Sequence, residues 1–383
     1  MSTIRIKSDK IIVGESLFDG YLYIDGDKIT ELSKEEKEAS VCYDYTGKYV
    51  SPGFIETHTH GAGGHAFINS TVEDVIEGCN CHFEHGVTTI LPTVTSGPFP
   101  NMKAGALNIV EAIKSGKAKP NVLGAHMEGP YLSLKQCGAQ CPDFITPPVK
   151  EDYVPFIEEY GEYVARWTYA PENDENGEFT KYLVDHNVIP SAGHSDAIYD
   201  EMKPSIANGC KLITHLYSSC STITRLQGFR RLGVIEAAYL NDDIYVEIIA
   251  DGRHLPIDLI KMIIKIKGTD KVMLVTDSLE IACTDIKEGV MSGTEFIVEE
   301  GVCRLKDRSA FAGSIATADR LIRVIAFDCG FSIPTAVKMM TEVPAKILKI
   351  NKGTLEAGKD ADIIVFDDDI NVSDIFVNGK KEK

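Results

Sequence analysis

From residue 54 to residue 276 the chain repeats one unit, a short apolar run followed by a polar turn and, in many cases, a helix-like segment. The runs are residues 54–59, 88–95, 122–127, 167–170, 188–192, 212–214, 245–250 and 272–276, eight in all. Most are continuously apolar, as strands of a parallel sheet are when both faces are covered. Segments such as 72–85 and 257–267 carry the helical spacing between them. Eight such units predict an α/β chain folded as a (β/α)8 TIM-type barrel, whose active site is built at the C-terminal strand ends.

The two chain ends have another pattern. Residues 1 to about 50 hold short alternating runs broken by Asp19-Gly20 and Asp25-Gly26, which read as hairpins. A similar set closes the chain, where Lys359-Asp360-Ala361-Asp362 leads into an apolar run and Asn378-Gly379 marks a turn. Neither end has the apolar surface for a core of its own, so the two are expected to join as a small β-sandwich domain. The expected division is 1–51 with 354–383 for that domain and 52–353 for the barrel.

The residues just after each apolar run supply the chemistry. The strand ends carry, in order, His58 and His60, Glu128, Glu172, His194, His215, His254 and Asp277. His58-Thr59-His60 ends the first run, and residues two apart on a strand point the same way, so both imidazoles can reach one ion. Glu128, in Gly124-Ala125-His126-Met127-Glu128-Gly129-Pro130, ends the third run beside a glycine and a proline. His194 and His215 end later runs and offer neutral imidazoles of the kind zinc or iron accepts. Asp277 ends the last; a carboxylate opposite a coordinated ion can take the proton of an attacking water and return it to a leaving nitrogen. His126 lies inside a strand and reads as structural or as a support to the ligands, while His65, His82, His85 and His186 lack any comparable setting.

Composition narrows the partners. The formal charge of −18 disfavours nucleic acid and anionic membrane surfaces. An anionic ligand then needs a local basic cluster, and Arg225, Arg230 and Arg231 supply one just after the His215 strand. The ten cysteines are scattered without a CxxC pair, as in a chain with reduced thiols in the cytoplasm. No run reads as a signal peptide or a membrane span.

Together, residues 52–61, 124–131, 193–197, 214–217, 250–255, 275–277 and 312–314 resemble the amidohydrolase superfamily, and within it the N-acetylglucosamine-6-phosphate deacetylases. The resemblance runs over nearly the whole chain. It implies that Glu128, His194 and His215 hold a principal divalent metal, zinc first with iron, manganese, cobalt or nickel as alternatives. It further implies that His58 and His60 complete a second metal site found in some members, and that Asp277 is the general acid/base. On this reading His254 contacts the substrate, and an arginine near Arg225, with Arg230 beside it, binds the sugar phosphate, in some members from a neighbouring subunit, which implies a homodimer.

Three positions depart from the family pattern. Ser218-Ser219-Cys220 stands where an Asn-Ala-Met stretch is usual, Gln140 replaces a histidine near the acetamido group, and Glu56 replaces an aspartate. The first two alter the substrate pocket, so Gln140, Ser218 and Ser219 are candidate substrate contacts. The alternatives carried by the sequence are deacylation of another N-acyl sugar phosphate, such as the galactosamine isomer, or of an N-acyl amine, and a scaffold that has lost catalysis.

Overall fold

The computed structural model describes residues 3–291, 294–308 and 310–383. Eight parallel strands form its centre: β1 (Phe54–Thr59), β2 (Val87–Val94), β3 (Ala125–Glu128), β4 (Val164–Tyr169), β5 (Ile189–Ala192), β6 (Leu212–Ile213), β7 (Tyr245–Ile248) and β8 (Val272–Leu274). Each pairs in parallel with the next. The ring is brought round at its top, where Asp277 donates its backbone N–H to the His58 carbonyl and His60 donates to the Ser278 carbonyl, both at 2.8 Å. The expected barrel is therefore the observed one, with all eight runs in the expected order.

Two of the strands differ in detail from their sequence runs. The third splits, residues Asn121–Val122 pairing with β2 before Ala125–Glu128 resumes the sheet. The break falls at Gly124, with φ +155°, where a Cβ would lie 2.8 Å from the Tyr163 carbonyl oxygen, so only glycine fits. The sixth strand is only two residues long, because the chain turns into the left-handed region at His215.

Helix α1 (Val72–Glu84) packs Val75, Ile76, Cys79 and Phe83 against the barrel and starts at a reciprocal cap between Thr71 and Asp74. Inside the ring, the strands bury a polar layer. Arg166 on β4 pairs with Glu247 on β7, with the second guanidinium nitrogen 3.1 Å from Oε2, and both side chains are fully buried. The same guanidinium donates to Ser191 and Thr214, so both of its terminal nitrogens are engaged, while Nε is buried without a partner among the described residues.

Both termini do meet in one β domain. Tyr49–Pro52 runs antiparallel to Ile363–Phe366, joining the N-terminal strands Thr3–Val13, Ser16–Asp25 and Lys28–Ser33 to the C-terminal ones in one eight-stranded ladder. Ile6, Ile11, Leu22, Ile24, Val50, Ile363 and Phe376 form its core. After β8 the chain adds an antiparallel sheet between residues 288 and 313, which the apolar pattern does not announce.

Candidate metal centre

The strand ends converge on the Glu128 carboxylate. Its Oε1 lies 3.4 Å from His58 Nε2 and 3.3 Å from both His194 Nε2 and His215 Nε2. Its Oε2 lies 3.3 Å from His60 Nε2 and accepts a 2.8 Å bond from Gln140 Nε2. Asp277 Oδ1 faces His60 Nε2 at 3.1 Å and His58 Nε2 at 3.4 Å. Six of the side chains expected to act together thus share one buried cluster, and Gln140 touches it.

The tautomers in this cluster are set from outside. His194 Nδ1 is 2.9 Å from the Gln136 carbonyl and His215 Nδ1 is 3.0 Å from the Ser218 carbonyl. A carbonyl only accepts, so each Nδ1 carries the proton and each Nε2 turns a lone pair inward. Those two Nε2 atoms stand 3.2 Å apart. Two lone pairs and a carboxylate oxygen pointed at each other repel unless a cation sits among them. Both nitrogens of His58, and Nδ1 of His60, are buried without a hydrogen-bond partner among the described residues. These are groups that a divalent metal with nitrogen and oxygen ligands would satisfy, with the backbone carbonyls orienting its imidazoles. His58, Glu128 and His215 form one candidate ligand set, and His58, His60 and Asp277 another.

Charge in the site obeys the same geometry. Burial works against a charged His58, but the Asp277 and Glu128 carboxylates outweigh it and push the imidazole up to about 10. His60, buried likewise and bonded to Asp277 and Glu128, is pushed up to about 9. Burial alone would raise Asp277, yet the His58 and His60 imidazoles hold it down to about 2. Glu128 is held well below the usual carboxylate range against the same penalty, by His58, His194 and His215. The arrangement stabilises a carboxylate on Asp277 beside any positive charge in the centre.

Backbone conformation marks the site independently. His194, His215, Tyr217, Ser219 and Asp277 all have φ between 29° and 78°, the left-handed region that residues with a Cβ enter at a cost. Glu172, accepting 2.7 Å from Ser195 Oγ and 2.6 Å from the Asp196 N–H, pins the turn after His194. Glu56 accepts the His58 and Thr276 N–H groups at 3.0 and 3.1 Å and ties the first strand end to the last. Burial raises this carboxyl to about 7.

The remaining expected residues lie around this centre. Gln140 is itself held, its Oε1 accepting from Thr95 Oγ1 at 2.7 Å and from the Ser96 N–H at 3.2 Å. Ser219 borders the loop before Gln140, since a Cβ at Gly138 would lie 2.9 Å from Ser219 Oγ and 3.5 Å from His194 Cε1. Ser218 acts through its carbonyl on His215. His254 bonds Asp251 Oδ2 through Nδ1 at 2.8 Å, which leaves its Nε2 free to meet a ligand. His126 is consumed by Thr93 and Thr168, at 2.9 and 2.8 Å, and stacks edge-on against His58, a structural role as expected.

Arg225 and Arg230 are not brought to the centre. They face each other across an exposed hairpin, Thr224–Leu226 with Phe229–Arg231, and neither forms an ion pair with any described residue. Sequence reasoning missed Glu247, whose Oε2 lies 3.5 Å from His58 Nδ1, and the Arg166 that holds it. The signal was present, a charged residue inside each of two otherwise apolar strands.

The comparisons with known proteins agree with this geometry. The model of the amidohydrolase family matches residues 49–382. The chain belongs to the amidohydrolase family. Its relatives within that family include the N-acetylglucosamine-6-phosphate deacetylase of Haemophilus influenzae, 31% identical over 88% of this chain and 87% of the relative. The N-acetylgalactosamine-6-phosphate deacetylase of a Shewanella strain is also 31% identical, over 88% of this chain and 84% of its own length. Among solved structures, a mutant N-acetyl-D-glucosamine-6-phosphate deacetylase from Mycobacterium smegmatis, in complex with N-acetyl-D-glucosamine-6-phosphate, superposes with a TM-score of 0.91. It is 26% identical, and the match covers 100% of this chain and 99% of that one. The resemblance read from the motifs is borne out by these amidohydrolase relatives.

Proposed function

We propose that the chain is a metal-dependent deacetylase that hydrolyses the acetamide of N-acetyl-D-glucosamine 6-phosphate to D-glucosamine 6-phosphate and acetate. The observation that carries this reading is the convergence of the His194 and His215 lone pairs on Glu128, with Asp277 across from them. Glu128, His194 and His215 would hold the principal metal, with His58 and His60 able to complete a second site. Bound there, a divalent cation supplies the positive charge that polarises an amide carbonyl and acidifies a water. Zinc suits three such ligands best, and iron, manganese, cobalt or nickel fit the same donors.

The protein's own groups do the rest. Asp277, kept ionised, takes the proton of the attacking water and delivers it to the departing nitrogen as the carbon–nitrogen bond breaks. Gln140 fixes the rotamer of Glu128 and so the direction of the charge the acetyl carbonyl meets. His254, anchored by Asp251, offers Nε2 to the sugar phosphate side.

The phosphate end is where a second subunit enters. The hairpin carrying Arg225 and Arg230 exposes Phe229, Leu226 and Ile223, an apolar tip that a homodimer would cover. Docked on a second copy, its guanidiniums would be available to that copy's phosphate. A cytoplasmic location fits a phosphorylated substrate, and among the described residues no helix is long and apolar enough to cross a membrane.

Kinetics test the substrate. N-acetylglucosamine 6-phosphate should exceed both its galactosamine isomer and unphosphorylated N-acetylglucosamine in kcat/KM. Equal turnover of the unphosphorylated sugar would remove the phosphate from the mechanism, and preference for the galactosamine isomer would move the assignment to that substrate.

A further inference from the structure

Away from the metal centre, α1 and the segment after Asp277 bring two thiols together. Cys81 lies on the last turns of α1 and Cys283 six residues beyond Asp277, and Gly63 stands between them: a Cβ there would lie 3.4 Å from Cys81 Sγ, while its N–H donates to the carbonyl of Ala282, next to Cys283, at 2.8 Å. Cys283 Sγ is also 3.4 Å from His85 Nε2, whose Nδ1 is 3.1 Å from Asp319 Oδ1. Asp319 is steadied in turn by Thr317 Oγ1 at 2.5 Å and by Arg323 at 2.9 Å. Cys283 is exposed, with φ +62°, and Cys81 borders a surface cavity of about 290 Å³ lined also by Gly63, His65, Glu77 and Lys119. A small oxidant therefore reaches both sulfurs. None of these groups has a part in the chemistry derived above.

We propose that Cys81 and Cys283 are a peroxide-oxidisable pair, that a disulfide closes between them, and that closing it slows turnover at the metal centre. The hydrogen bond from Cys283 lowers the Cys81 thiol to about 7 against its burial, with the His85 and His65 imidazoles adding to the effect. The same bond raises Cys283. The Cys81 thiolate attacks one oxygen of hydrogen peroxide, the O–O bond breaks and hydroxide leaves, giving a sulfenic acid. Cys283, its proton passed to His85, attacks that sulfur and displaces hydroxide as the S–S bond forms; with the two protons returned, two thiols and one peroxide become one disulfide and two waters.

The link to the centre is the stitching of the 277–283 segment to the end of β1. His60 donates to Ser278 at 2.8 Å, Gly64 to Glu280 at 2.7 Å and Gly63 to Ala282 at 2.8 Å, while Asp277 donates to His58. A disulfide draws its sulfurs to about 2.05 Å, well inside van der Waals contact, so closure pulls on a segment whose other end carries Asp277. Displacing a catalytic group by about 1 Å lowers turnover by up to about a hundredfold.

The inference rests on the deacetylase reading only for its activity readout. Metal-loaded enzyme is treated with hydrogen peroxide and digested for mass spectrometry without reduction, and turnover is measured before and after dithiothreitol. The expected result is a linked peptide pair containing Cys81 and Cys283, a fall in turnover of about tenfold or more, and recovery of both on reduction. Cys81→Ser and Cys283→Ser enzymes should form no such link and keep their turnover through the same treatment. A link confined to Cys137 and Cys141, or no link, overturns the site. Equal inactivation of wild type and Cys283→Ser, or a Cys81–Cys283 link that leaves turnover unchanged, overturns its coupling to the centre. Because the link is read by mass, it stands or falls even if the substrate assignment is wrong.

Discussion

The two ends of the substrate site are built in opposite ways. At the metal end, His58, Glu128, His194 and His215 are buried and His60 and Asp277 nearly so, and all six are supplied by strand ends of the barrel. At the end proposed for the phosphate, Arg225 and Arg230 stand exposed on a two-stranded hairpin with no ion-pair partner among the described residues. The difference is between a centre that one chain brings together by itself and a pair of guanidiniums that the same chain leaves without a counter-charge among the described residues. A rigid ring can hold repelling lone pairs in register.

Substitutions sharpen the contrast, and the largest effect belongs at the metal end. Asp277→Asn keeps the shape of the side chain and removes its basicity, so metal content should persist while kcat falls on the order of 10³-fold, within the range for a lost general acid/base. Retained turnover would take Asp277 out of the mechanism. At the other end, Arg225→Ala or Arg230→Ala should raise KM for the phosphorylated sugar by about 10-fold or more with little change in kcat, as for one lost charge-assisted bond. The same variants should leave turnover of the unphosphorylated sugar alone. If instead kcat collapses, the hairpin shapes the chemical end too and the two regions are not separate.

The smallest effect is in pH. His58 and His60 are raised to about 10 and 9, above the ordinary imidazole value of about 6.5 that they regain on unfolding. Their pairing with Glu128 and Asp277 therefore contributes stability that is fully present below about pH 6.5 and lost as pH rises through 9 to 10. Glu56, raised to about 7, acts in the same direction over the window below it. In chelator-stripped protein the Tm should fall across this range, while added zinc, which needs neutral imidazoles, should widen the gap between loaded and stripped Tm. A stripped Tm that rises from pH 6.5 to 10 would contradict the charge pattern of the metal end.

This contrast also explains how much was legible in the sequence. Parallel strands buried on both faces announce themselves as apolar runs, and β1 to β8 fall where those runs fall. His58, His60, Glu128, His194, His215 and Asp277 stand out because an apolar run ends in each of them. Glu247 and Arg166 were overlooked since a charged residue within a run reads as an interruption until its partner on another strand is known. The left-handed backbone at His194, His215 and Asp277 has no marker in residue type, because glycine is absent where strain is tolerated. Gln140 was visible as a departure, but its bond to Glu128 depends on a loop whose path no periodicity encodes. The hairpin arginines are readable as a basic cluster, whereas their place opposite each other on an exposed hairpin is not.

All of the chemistry at the metal end depends on Glu128, His194 and His215 sharing an ion. The direct measurement is anomalous scattering from crystals of zinc-loaded enzyme, paired with metal analysis of the same sample. The expected result is a peak within coordination distance, about 2.0–2.2 Å, of Glu128 and of Nε2 on both His194 and His215. Zinc found only elsewhere on the chain, with those three side chains unliganded in an active enzyme, would contradict it.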